Sequence, residues 1–219
     1  QRNLWPEKGK QSCVMYGNWR LVNGIELYNT KYDPGQKNNI INENKDIANE
    51  MQKFYDDWWE DASKEFKYSY IDILPNITNT ITAHDVQVNS ITAWDQSVIR
   101  KGIPYELGKF KVDFKKSGEY KITLRRWPKE SNLNLRDSID DYIPAKKYWD
   151  QQLSGKSMNI ASAFIKIGDK EYKVNLSENF KSASINIDIN SGKTSLEPSF
   201  ILDNGQTSIA FYTEIDFLF

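Results

Sequence analysis

The chain of 219 residues carries 29 basic and 30 acidic side chains, a formal net charge of -1, so its composition holds no strong attraction to nucleic acid or to an anionic membrane. One cysteine and one histidine exclude an intrachain disulfide framework and any zinc cluster built on several thiolates. No apolar run reaches the length of a membrane-spanning helix, and the chain is long enough to bury one large β-rich core or two small ones.

Gln1 to Lys10 are polar, without an initiator methionine or a basic stretch leading into an apolar run, and are expected to be the start of a processed or truncated chain. Ser12 to Tyr16 and Trp19 to Val22 have the β-branched and aromatic enrichment of strands, with Gly17-Asn18 between them. Asn23-Gly24 suits a two-residue type I′ loop, because both residues tolerate positive φ, and Ile25 to Asn29 follows as a third strand. The three predict an antiparallel meander. In the turn Asp33-Pro34-Gly35-Gln36, proline fixes φ and Gly35 is free to take the left-handed region.

Ile47, Met51, Phe54 and Trp58 recur at spacings of four, three and four, which predicts an amphipathic helix. Asn44 suits its cap, Asp46 the positive end of its dipole and Lys64 the negative end. The apolar stripe is expected to lie across the meander, burying Trp58 with Trp59 beside it, in a layer whose core is incomplete on its own. From about Phe66 the helical period disappears. Ile122 and Leu124 alternate with Lys121, Thr123 and Arg125, and Ile185, Ile187 and Ile189 alternate with Asn186 and Asp188, the pattern of half-buried strands. Turn residues at Lys116-Ser117-Gly118, Gly168-Asp169, Asn190-Ser191-Gly192 and Asp203-Asn204-Gly205 punctuate these runs. Lys129 to Ser157 is polar and without alternation, and reads as a long excursion over the surface. The expected fold is therefore mainly β: a small meander with one packing helix over residues 1–66, then an antiparallel, jelly-roll-like β-sandwich over 67–219.

The run Asn18-Trp19-Arg20-Leu21-Val22-Asn23-Gly24, then Glu26-Leu27-Tyr28-Asn29, then Asp33-Pro34-Gly35-Gln36-Lys37-Asn38, resembles the C-terminal subdomain of arylsulfatase-type sulfatases. Asn29 stands where that family usually has Asp. A second set resembles a tail carried by some bacterial sulfatases: Thr82-Ala83-His84-Asp85, Trp94-Asp95-Gln96 with Ile99-Arg100-Lys101-Gly102, and Gly118-Glu119-Tyr120 with Leu124-Arg125-Arg126-Trp127-Pro128. The resemblance implies a parent of the alkaline-phosphatase-like superfamily that hydrolyses sulfate esters with a formylglycine nucleophile and a calcium ion. Both belong to an upstream catalytic domain, which would be this chain's partner together with sulfated carbohydrate. No cofactor is expected on this chain, since Cys13-Val14-Met15-Tyr16 lacks the small residue and arginine of the formylglycine motif. Periplasmic or secreted residence is implied by the same likeness.

Within that reading His84, Asp85, Trp94, Arg126 and Trp127 are the candidate substrate-binding residues, and no catalytic or metal-binding residue is assigned. His84 beside Asp85 suggests an oriented imidazole, although neighbours on a strand point to opposite faces and pair only in a loop. Arg125, Arg126 and Trp127 suit an anionic sugar, through guanidinium forks and a stacking indole. The alternative for them is a strand that buries Leu124 and the stem of Arg126 while Arg125 makes an ion pair. Trp94 with Arg100 has the same alternative, as core filler. Asp33, Asp56, Asp57, Glu60 and Asp61 read as turn and solvated helix-face residues, and Cys13 as a small buried hydrophobe. The competing reading of the whole is a stand-alone carbohydrate-binding or structural β-sandwich module.

Overall fold

Turn chemistry builds the first part of the chain. In the computed structural model, which describes residues 6–88, 93, 95–141 and 154–219, the polypeptide divides into two units, Trp5–Ser69 and Tyr70–Phe219. The first holds three antiparallel strands, β1 (Cys13–Tyr16), β2 (Trp19–Val22) and β3 (Glu26–Asn29), in that spatial order. Asn23 and Gly24 both take positive φ, 53° and 73°, as a type I′ loop requires. The Asp33 turn forms, with the N–H of Gln36 donating to the carbonyl of Asp33 at 3.1 Å, and it is Gln36, not Gly35, that takes the left-handed conformation, at φ 49°. The carboxylate of Asp33 accepts the backbone N–H groups of Lys37 at 2.7 Å and Asn38 at 2.8 Å, and gathering two successive donors curls the chain at Gln36.

The helix α1 (Lys45–Ser63) buries Ala48, Met51 and Tyr55, with Ala48 and Met51 packed on Leu21 and Leu27 of the sheet. The stripe is thus rotated from the one the spacing predicts: Met51 is shared, but Phe54 is 66% exposed and Trp58 54% exposed. The apolar arc of this helix is wider than three short strands can cover, and Tyr55 decides which half faces inward, since its hydroxyl also accepts the N–H of Gly9 at 2.8 Å. Trp59 is half-buried, with its ring edge-on to Phe66 at 5.5 Å. Asn44 occupies the cap position, but its amide turns back to donate to the carbonyl of Ile40. Cys13, expected inside, is exposed because it lies on the outer strand and Val14 takes the inward position.

The second unit is a β-sandwich. One layer runs in the order β4 (Ile71–Ile73), β6 (Phe110–Phe114), β11 (Gly192–Leu202), β8 (Ile160–Ile167), β9 (Lys170–Leu176), with β12 (Thr207–Ile209) also beside β11. The other runs β10 (Ala183–Ile189), β7 (Gly118–Arg125), β13 (Tyr212–Phe217), β5 (Asn79–Thr82). Pairing is antiparallel except between β4 and β6, and the layers are joined by Leu176–Ala183 and Asn175–Ser184 at the β9–β10 turn. Phe110, Val112 and Phe114 from one layer meet Tyr120, Ile122, Leu124 and Ile215 from the other, and the rings of Phe114 and Tyr120 touch edge to face at 4.9 Å. Burying each of these large side chains stabilises the fold by about 1.5–3 kcal/mol. Asn79 is a buried polar residue with its hydrogen bonds met; its amide donates to the carbonyls of Leu74, Ile77 and Ile215, and its oxygen accepts the N–H of Leu74.

The segment expected to wander over the surface is tied in. Leu135 is buried in the sandwich core, and Ile139 pairs with Gly155 through both backbone hydrogen bonds. Residues 142–153 of that segment lie outside the described residues.

Candidate functional site

At the end of β5 the chain leaves the sheet through a 3₁₀ turn, Ala83–Asp85, and two side chains close it reciprocally. The Asp85 carboxylate accepts the backbone N–H and the hydroxyl of Thr82, both at 3.1 Å, while the Thr82 hydroxyl oxygen accepts the N–H of His84 at 3.3 Å. The turn takes His84 out of strand geometry and leaves its imidazole exposed. Adjacency of His84 and Asp85 therefore serves a capping box, with Asp85 holding the loop that presents the histidine. Asp85→Ala is expected to lower stability by about 1 kcal/mol and to shift the imidazole resonances of His84, read by thermal melting and by NMR.

Facing the turn is the short helix α2 (Gln96–Arg100), which starts where the carboxylate of Asp95 accepts the N–H of Ser97 at 2.6 Å. Tyr212, the first residue of β13, pairs with Thr82 and completes the boundary. Between them lies an open groove of about 260 Å³ lined by Thr82, His84, Asp95, Gln96, Ile99 and Tyr212. Burial, and secondly the charge of Glu130, push the Tyr212 phenol above its ordinary value, so it stays a neutral donor. An imidazole, an amide, a carboxylate, two hydroxyls and an aromatic ring thus face one shallow apolar floor, an arrangement suited to hydroxyl-rich ligands. Trp94, the third candidate of the sequence, lies outside the described residues.

Arg126 and Trp127 stand behind this groove, not in it. Arg126 is fully buried, and its Nη atoms donate to the backbone carbonyls of Ile99 (3.1 Å), Asp137 (3.0 Å), Leu135 and Lys156. Its guanidinium also lies 4.4 Å from the Trp127 ring, itself only 6% exposed. Burial lowers the Arg126 pKa to about 10, against the raising effect of Asp137. The link to the groove is Ile99, whose side chain lines it and whose carbonyl Arg126 holds. Next to it Arg100 is also buried and donates to the side chain of Gln96 and the carbonyl of Asp140, each at 3.0 Å. Arg125 pairs with Glu214 at 3.3 Å.

Of the second motif set, Thr82, His84, Asp95, Gln96 and Ile99 line the groove and Arg126 holds the Ile99 carbonyl, whereas Tyr120 packs elsewhere, against Phe114 and Phe217. Tyr212 was not singled out from the sequence, because only the β13–β5 pairing brings it there. The carboxylates of α1 are solvated, with Asp56 on Lys8 at 2.7 Å and Asp57 on Lys53 at 2.8 Å. Among the described residues no group of three or more His, Cys, Asp or Glu side chains is placed to hold a metal ion.

No family model matches the chain, and no curated protein does. Among solved structures it is similar to the CBM35 from Cellvibrio japonicus Abf62, at 12% identity over 52% of this chain and 68% of that one, with a TM-score of 0.27. It is likewise similar to a ruminal GH26 endo-β-1,4-mannanase, at 12% identity and a TM-score of 0.33, over 66% of this chain but 26% of the mannanase. At TM-scores this low neither likeness bears on function.

Proposed function

We propose that the chain is a non-catalytic, glycan-directed β-sandwich module. The observation that carries this reading is the groove between β5, β13 and α2, where His84, Gln96, Asp95 and Tyr212 face an apolar floor. Its donors and acceptors match sugar hydroxyls, and its floor matches the C–H face of a pyranose ring. Titrating the chain against sulfated and neutral oligosaccharides by calorimetry is expected to give saturable binding that weakens about tenfold in His84→Ala. Binding only after the chain is joined to a catalytic portion would make the groove one wall of an enzyme's cleft, and binding in neither form would end the glycan reading.

A finer reading rests on a different observation. The N-terminal unit leaves Met15 69%, Tyr16 59% and Phe54 66% exposed around a groove of about 230 Å³ between β1 and α1, and Trp58 54% exposed one turn further along the helix. Bare apolar surface of this kind marks an interface. With the sulfatase-like run from Asn18 to Asn38, it supports a chain that is the C-terminal part of a sulfuric ester hydrolase. The helix and first sheet then dock on the catalytic body, and the sandwich groove meets the sulfated carbohydrate.

A further inference from the structure

The groove between β5, β13 and α2 holds polar atoms that the protein itself does not use. Asp95 accepts the N–H of Ser97 through one carboxylate oxygen, and the side-chain oxygen of Gln96 accepts from Arg100 at 3.0 Å. The second oxygen of Asp95, the amide nitrogen of Gln96, the hydroxyl of Tyr212 and the ring nitrogens of His84 have no hydrogen-bond partner among the described residues. Thr82 and Asp85 differ, since they close the turn on each other. A ligand in the groove therefore meets four side chains with hydrogen-bonding capacity to give it.

Charge is the second feature. Among the described residues no lysine or arginine lines the groove, and residues 89–94, which precede Asp95 in the chain, carry no charged side chain. Three arginines stand near it, and each is engaged elsewhere. Arg126 donates to four carbonyls behind the groove, and Arg100 donates to Gln96 and to the carbonyl of Asp140. Arg125, opposite Tyr212 in the β7–β13 pairing, donates to Glu214 and to the carbonyl of Lys181. Asp95, by contrast, places a carboxylate in the lining, and after burial it is the charge of a second carboxylate, Glu130, that raises the Tyr212 phenol. His84 is the one lining side chain, among the described residues, able to carry a positive charge. A sulfate or sugar carboxylate entering here finds no guanidinium fork or ammonium to replace its water, and it faces a like charge at Asp95. For a neutral hydroxyl the same oxygen is a charge-assisted acceptor, stronger than an uncharged one.

We propose that the groove seats a sugar residue carrying no acidic group, and that Asp95 sets this preference by accepting a hydroxyl of a neutral residue and repelling a sulfate or carboxylate. The inference rests on the glycan reading of the groove and narrows it to a class of sugar. In a sulfated polymer the residue that enters is then one whose ester groups point out to solvent.

The test is an amide-shift titration of the ¹⁵N-labelled chain at low salt with neutral cellotetraose and galactotetraose and, in parallel, with tetraglucuronate and tetragalacturonate, in which every residue bears a carboxylate. Shifts at 82–84, 95–99 and 212 are expected to saturate with a neutral probe at a concentration about tenfold below that needed by its acidic counterpart. Raising the salt is expected to narrow that ratio and to leave the affinity for the neutral probe unchanged. Asp95→Asn keeps the cap of α2, because Asn caps as well as Asp, and removes the charge. In this variant the ratio is expected to fall below about threefold, with an unchanged melting temperature showing that the helix is in place. An acidic probe that binds as tightly as its neutral counterpart overturns the inference and leaves the glycan reading standing. So does a ratio that Asp95→Asn does not move. Absence of shifts with all four probes overturns the free-standing glycan reading, and the inference with it.

Discussion

Arg126→Met is expected to destabilise the C-terminal unit by about 3 kcal/mol or more, the largest effect of any single polar substitution proposed for it. Four carbonyls, from Ile99, Leu135, Asp137 and Lys156, converge on the one guanidinium. Methionine fills much of the volume and keeps the stem's packing but leaves those acceptors without a donor, and an unsatisfied buried acceptor costs about 1–3 kcal/mol. Lysine is expected to recover little, because one ammonium cannot present the planar fork that reaches four acceptors. The loss is expected to be independent of pH up to about 9. With a folded-state pKa of about 10, the guanidinium is protonated below that in folded and unfolded chains alike. Only above it does the unfolded chain hold the extra proton, so that this group's linkage raises stability as pH climbs from about 10 toward the group's ordinary value. Urea unfolding followed by tryptophan fluorescence measures both quantities. A loss below about 1 kcal/mol would mean that water replaces the arginine at those carbonyls and that the groove's support lies elsewhere.

The strands of this protein are legible in its sequence because period-two alternation and turn residues act locally. Trp19 to Val22 is a strand with the predicted bounds, and Asn23-Gly24 takes the conformation that the pair favours. What could not be read locally was decided by contacts far apart in the chain. The helix carries two overlapping apolar faces, and nothing in its own residues says which one a narrow sheet will cover; Tyr55, bonded to Gly9, settles it. Likewise Arg126 and Trp127 have the composition of an anionic-sugar site, and only the carbonyls brought in by residues 99, 135, 137 and 156 turn the arginine into a buried clamp. His84 and Asp85 are a half-way case. Their adjacency was informative, but about a capping box that exposes the imidazole, since the turn is closed by Thr82, one residue outside the pair.

The other large effect is expected where stability hardly changes. Phe54 and Trp58 are 66% and 54% exposed and lie outside the buried core of their own unit, Trp58 only flanking the Tyr55 ring at 5.9 Å, whereas Met51 is 2% exposed in the middle of that core. The double variant Phe54→Glu/Trp58→Glu is therefore expected to unfold within about 0.5 kcal/mol of the parent chain, against a loss of about 2–5 kcal/mol for Met51→Ala. If the sulfatase-like portion of the proposal holds, the same double variant weakens association with a separately produced catalytic portion by about 30-fold or more, because a large aromatic at the centre of an interface is worth about 2 kcal/mol or more. Calorimetric unfolding gives the first number and surface-plasmon titration the second. A double variant that destabilises the chain as much as Met51→Ala would assign this face to internal packing. One that unfolds normally and still binds the catalytic portion at full strength would leave the bare aromatics without a docking role and remove the observation on which the sulfatase reading stands.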